Sequence, residues 1–263
     1  MENVVLRVVV PKRMGHYDPH LTMCNKYEAP QHSELELHFK ITGPLPDYPS
    51  TVVPLRSAPI IVAPGRALVG QWGMIPPRSL TRRPMMKKLV PAKKGSAEQV
   101  VVERPMSTNN ARRERLATAM TYRGSWANGR RCLIPALSYD EPYWGDTGFN
   151  TWWRFQRADG APWALAGLWS EWTDPVTGEV VPNFSMITQN CDGHPLLSLM
   201  HKPDPKLPDD KQDKRAVVPI EPEDWALWLD GSVADAEALI QLPQAYVFDH
   251  GPADPASQVL LPL

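Results

Sequence analysis

The 29 prolines of this 263-residue chain are scattered along it rather than gathered into one linker. Proline removes a backbone donor and breaks helix interiors, so long helices are few and short strands joined by irregular turns dominate. Strands are expected at Val52–Leu55, Ile60–Val62, Ala67–Trp72, Val100–Val102, Cys132–Ala136, Thr151–Arg154, Trp163–Leu168 and Phe184–Thr188, where Trp and β-branched residues recur. Helices at Ser33–Phe39, Ala111–Tyr122, Pro222–Leu229 and Val233–Ile240 complete one α+β domain around a β-rich core. Two segments read as loops or insertions. Arg78–Gln99 carries Arg82, Arg83, Lys87, Lys88, Lys93 and Lys94 with little periodicity, and Lys202–Lys214 is rich in Pro, Asp and Lys.

No apolar run approaches the roughly 18 to 20 residues that span a bilayer. The opening MENVVLRVVVPKR places its charges after its apolar stretch, the reverse of a signal peptide. A cytoplasmic protein without a membrane partner is expected. The three cysteines, Cys24, Cys132 and Cys191, show no CxxC or Cys/His ligand spacing, so neither a disulfide framework nor a metal or other cofactor is expected. Cys132, inside the apolar run Cys132–Ala136, suits a small buried hydrophobe. Cys24 does not, because it stands between Met23 and the polar pair Asn25–Lys26.

The overall charge of −1 hides an asymmetry. Arg66 to Arg131 holds 15 Lys and Arg against 3 Asp and Glu, a net of +12 that the rest of the chain offsets. A polyanion-binding surface and a solvated basic loop both fit this pattern.

Five ordered stretches are more specific than composition. They are Met23-Cys24-Asn25-Lys26-Tyr27, Trp72-Gly73-Met74-Ile75-Pro76, Asn110-Ala111-Arg112-Arg113-Glu114, the run Arg131–Glu141, and the run Phe184–His201. Together they resemble the SRAP family, the SOS-response-associated peptidases, whose patterns read MCGRY, WGxxP, NARxE, RCLxPxxGFYEW and a late HxRxP. The resemblance runs from Met23 to about Trp228. It implies a barrel-like core of mixed strands flanked by short helices, and a protein, expected as a monomer, that protects abasic sites in single-stranded DNA.

The chemistry that the resemblance implies centres on Cys24. An N-terminal cysteine carries an amine with pKa near ~8 and a thiol near ~8.5 on adjacent carbons. Against an aldehyde, such as a ring-opened abasic deoxyribose, the amine forms an imine and the thiol closes a five-membered thiazolidine. Local positive charge would increase the thiolate. With upstream residues attached the amine is an amide, so this chemistry needs a chain that begins at Cys24. Residues 1–23 are then either a leader removed by self-cleavage or sequence upstream of a true start at Met23, and 24–263 form the SRAP-like domain.

By the same resemblance Glu141 is the acid/base and His201 the proton shuttle, with His194 as its rival. Here Ser138, Tyr139 and Pro142 stand where the family has Gly, Phe and Trp, and Lys202–Lys214 separates His201 from its continuation at Arg215. Asn110 matches the asparagine that orients the sugar or the terminal residue, with Asn109 as the alternative by one position. Single-strand binding needs cations for phosphates and flat surfaces for bases. Asn25, Lys26, Pro54, Trp72, Arg78, Arg112 and Arg215 are the candidates. A thiol peptidase using Cys24, His201 and Glu141, or a non-covalent single-strand binder, are the other readings.

Overall fold

The structure, a computed structural model, describes residues 24–91, 99–145 and 150–253. The expected leader and Lys93 and Lys94 lie outside the described residues. Strand β1 (Lys26–Glu28) and helix α1 (His32–Phe39) come first, followed by β2 (Thr51–Val52), β3 (Ser57–Ala63) and β4 (Arg66–Trp72). Next are β5 (Met85–Pro91), β6 (Gln99–Pro105), β7 (Asn110–Arg112), α2 (Arg123–Ala127), β8 (Arg131–Ala136) and β9 (Ser138–Tyr143). The chain continues through β10 (Thr151–Arg157), β11 (Trp163–Thr173), β12 (Val180–Asn190) and β13 (Arg215–Val217). Helices α3 (Trp225–Asp230) and α4 (Val233–Leu239) precede β14 (Phe248–Pro252).

Strands β11, β8, β3, β4 and β12 pair in that order, and β12 pairs back with β11, closing a five-stranded barrel. Its strands are mixed, because β4 and β12 run parallel while the other pairs are antiparallel. Closure leaves no exposed edge on the ring. It also demands close approach. A Cβ at Gly167 would lie 2.8 Å from both Cys132 Sγ and Ile134 Cδ1, so any side chain there would force these buried neighbours to move. Outside the ring, β7 and β13 both pair with β12. A second sheet, in the order β14-β10-β9-β1-β2, packs against the barrel.

The period-2 alternation of strands sorts the apolar residues into two cores. Along β8, Cys132, Ile134 and Ala136 face the core shared with the second sheet, where Tyr27, Trp72, Phe155, Trp163 and Phe184 are buried. Leu133 faces the other core, with Leu35 and Phe39 of α1 and Trp228 of α3. Helix α1 ends at Lys40, which adopts the left-handed conformation (φ 58°). Helix α4 starts from a Ser232–Asp235 capping box.

The single α+β domain with a barrel-like core is as expected, and three local expectations are corrected. Ala111–Tyr122 is not a helix: Asn110–Arg112 is captured as a strand by parallel pairing with Met186–Thr188, and turns carry the chain to a short α2. The basic segment after Arg78 is not all loop, because Met85–Pro91 pairs with Gln99–Pro105 in an antiparallel hairpin. The strand expected to reach Leu55 stops at Val52, and Leu55 itself turns left-handed at φ 72°.

Candidate active site

Cys24 and Asn25 stand immediately before β1, and β1 pairs antiparallel with β9 so that Lys26 lies opposite Asp140. One residue further on, β9 carries Glu141. Cys24 and Glu141 are thereby neighbours, close enough for the Glu141 charge to act on the Cys24 thiol. From the other side, β7 delivers Asn110, whose Nδ2 donates to the Cys24 carbonyl at 2.9 Å. Asn109 Nδ2 reaches the same carbonyl at 3.4 Å and Asn25 Oδ1 at 3.0 Å. Both asparagines therefore hold the Cys24 segment, and the choice between them dissolves. Asn109 is held in turn by the Trp72 indole, which donates to its carbonyl at 2.8 Å. Gly73, at φ 133°, gives the chain the sharp exit after Trp72 that few other residues allow.

His201 completes the group. Its backbone is left-handed (φ 63°), held by its own N–H on the Pro142 carbonyl at 2.6 Å. The buried Lys214 ammonium caps the Met200 carbonyl at 2.8 Å and the His201 carbonyl. Residues 202–214 loop out and return, so that the Arg215 carbonyl sits 3.1 Å from His201 Nε2. Spatial continuity from His201 to Arg215 survives the insertion. The rival His194 is spent in a turn, with Nε2 on the Pro243 carbonyl and Nδ1 accepting from Leu196 and Leu197.

Glu141 Oε2 and His201 Nε2 approach to 3.4 Å, yet Oε2 has no hydrogen bond. Burial, with Asp140 next, raises the Glu141 carboxyl well above the usual carboxylate range. Burial lowers His201 to about 4, opposed by the Arg215 carbonyl and assisted by the Lys214 charge. Burial thus favours the uncharged form of both partners, the carboxylic acid of Glu141 and the neutral imidazole of His201. Burial, then Glu141, pushes the Cys24 thiol well up. The surroundings thus oppose the thiolate rather than favour it.

The remaining site candidates divide. Trp72 is fully buried, packed edge-on against Tyr27 at 5.1 Å, and offers no face to a base. Arg215 is buried and paired to Glu114 at 2.7 Å and Asp213 at 3.2 Å, which turns it from a phosphate ligand into a support. Arg112 is half-exposed and pairs with Asp213 at 2.6 Å. Lys26 pairs with Asp140 at 2.9 Å, which also takes a bidentate hold from Arg154. Pro54 is half-buried, and Arg78 is exposed. Among the described residues, no group of three His, Cys, Asp or Glu side chains is placed to hold a metal. No helix among them is long and apolar enough to cross a membrane.

A family model described as SOS response associated peptidase (SRAP) matches residues 23–254. The chain belongs to the SRAP family. Membership associates it with the SOS response to DNA damage. An X-ray structure of a Bordetella bronchiseptica protein is 28% identical, covers 88% of this chain and 100% of its own, and superposes with a TM-score of 0.70. A Bacteroides thetaiotaomicron structure shares the fold at 18% identity, covering 88% and 93% of the two chains, with a TM-score of 0.66. A search of the curated proteins finds no match. Within this SRAP chain, sequence reasoning missed Lys214, and gave Asn109 too small a part. The one signal for Lys214 was its place directly before Arg215, where the displaced HxRxP continuation resumes.

Proposed function

We propose that this SRAP protein, as a chain beginning at Cys24, captures abasic sites in single-stranded DNA by forming a thiazolidine with the ring-opened sugar. The observation that carries the reading is three buried polar atoms, Asn110 Oδ1, Glu141 Oε2 and His201 Nδ1, that have no hydrogen-bond partner among the described residues. Each such atom costs about 1–3 kcal/mol. A fold retains several together where a substrate supplies the missing partners.

The directions of these shifts suit the steps. The closed abasic sugar is a hemiacetal. Glu141, whose burial favours the acid form, donates its proton to the ring oxygen. Its other carboxyl oxygen takes the proton of the anomeric hydroxyl, which releases the aldehyde and restores the acid. Burial keeps the thiol protonated, so the Cys24 amine attacks the carbonyl carbon first. Neutral His201 accepts the proton that the amine loses at the open Nδ1. Water then leaves, giving the imine. The sulfur adds to the imine carbon, its proton passes to the nitrogen, and the ring closes. One aldehyde and one aminothiol give one thiazolidine and one water, with no oxidant or reductant. Asn110 and Asn109 hold the Cys24 carbonyl, which fixes both nucleophiles relative to Glu141. Lys26, Arg78 and Arg112 would contact backbone phosphates, Lys26 and Arg112 by exchanging their carboxylate partners for them.

A thiol peptidase needs a thiolate paired with an imidazolium. The shifts here run the opposite way, and among the described residues no hydrogen bond joins Cys24 to His201. The test is a denaturing gel of protein beginning at Cys24, incubated with a single-stranded abasic oligonucleotide. DNA should migrate with the protein. It should not with Cys24→Ala or with protein whose Cys24 nitrogen remains acylated by an upstream residue. Absence of any adduct with the free-amine protein would overturn the proposal.

A further inference from the structure

With Trp72 closed inside the core, a base-stacking surface has to come from elsewhere, and the rim of the site supplies one. The end of β9 and the His201 turn are stitched together. His201 N–H donates to the Pro142 carbonyl at 2.6 Å, Tyr143 bridges to Met200, and Trp144 N–H donates to the Leu199 carbonyl at 3.0 Å. This stitching brings together the residues that follow Glu141 and His201. Trp144, half-exposed, stands three residues after Glu141, and Lys202, exposed, directly follows His201. The Lys202 ammonium lies 5.2 Å from the centroid of the Trp144 ring.

We propose that Trp144 and Lys202 form the subsite for the nucleotide next to the lesion, Trp144 stacking on its base and Lys202 pairing with its phosphate. This rests on the reading of the chain as an abasic-site binder. An abasic residue leaves its neighbour with one unstacked face, and an indole at the rim replaces the missing partner. The ammonium rests over the indole, an arrangement worth little at an exposed position. Arrival of a nucleotide exchanges it: the base takes the ring, and the long lysine side chain swings to the phosphate. The occupant is a nucleotide because one flat aromatic surface and one cation, side by side, match one base and one phosphate.

The test measures affinity for an intact single-stranded oligonucleotide together with the concentration of abasic oligonucleotide that gives half-maximal crosslinking. Trp144→Ala should weaken both by roughly tenfold, and Trp144→Phe should recover most of the loss. Lys202→Ala should reduce the slope of log affinity against log salt by about 0.7, the share of one single-strand phosphate. Unchanged affinity in Trp144→Ala together with an unchanged slope in Lys202→Ala would overturn the subsite. A wild-type protein that binds the intact strand but never crosslinks would instead defeat the covalent reading, and the affinity measurements would still decide the subsite.

Discussion

The side-chain amide of Asn110 donates to the backbone carbonyl of Cys24 at 2.9 Å, tying a strand-borne residue to the proposed nucleophile across 86 residues of sequence. Strand β7 is only three residues long, yet its pairing with β12 sets this contact. Asn110→Ala should slow adduct formation by roughly tenfold, the worth of one hydrogen bond in positioning. Affinity for intact single-stranded DNA should not change. Single-turnover crosslinking beside a binding titration separates the two, and a loss confined to affinity would count against the positioning role.

Glu141 sets proposed function against stability. Its carboxyl is raised by burial, so the folded state keeps a proton that the unfolded chain has lost. That contribution is complete below the unfolded pKa of about 4.3 and disappears as pH rises through the folded value. Glu141→Gln stays neutral throughout. Its denaturation midpoint should therefore gain on the wild type as pH rises toward about 8, while adduct formation falls by about 100-fold. Parallel pH profiles for the two proteins would contradict the assignment.

His201 has the opposite sign. Its folded value of about 4 lies below the ordinary 6.5, so the unfolded chain binds the extra proton. Stability is lost as pH falls from about 6.5 toward 4, by on the order of 3 kcal/mol if the full shift is expressed. His201→Gln should flatten that part of the profile. Lys214→Met removes a charge that lowers His201, so the folded value rises toward the unfolded one, and in denaturant titrations the acid loss should become smaller and end at a higher pH.

Arg78 is exposed, two residues beyond the Trp72–Pro76 motif. Contact with one phosphate predicts that Arg78→Ala lowers the salt slope of single-strand binding by about 0.7. An unchanged slope would assign Arg78 to the solvated surface.

Much of this site was legible because its residues lie in short ordered motifs. Cys24, Asn110, Glu141 and His201 all fall in them, and the structure gathers the four although they span 177 residues. Strand β9 was not legible as a strand, because Ser138-Tyr139-Asp140-Glu141-Pro142 has the polarity of a loop. Its polar residues are buried because ion pairs satisfy Asp140 and because the site draws in Glu141. Ala111–Tyr122 has helix-forming composition, but β12 offers Asn110–Arg112 a backbone partner, and tertiary pairing overrides propensity. The hairpin at Met85–Pro91 was hidden by exposed lysines, which blunt a two-stranded ribbon without showing strong alternation. The burial of Trp72 depends on contacts with Tyr27 and Asn109, which no local pattern encodes.

The central claim is that the amine and thiol of Cys24 act together on one aldehyde. Intact mass spectrometry of protein beginning at Cys24, incubated with an abasic single strand and denatured without reductant, tests it directly. The account predicts a species equal to protein plus oligonucleotide less one water. Cys24→Ala, which keeps a terminal amine but can form only a hydrolysable imine, should lose that species; borohydride would trap its imine instead as a secondary amine, two hydrogens heavier. An equally stable adduct on Cys24→Ala, or none on the wild type, would contradict the account.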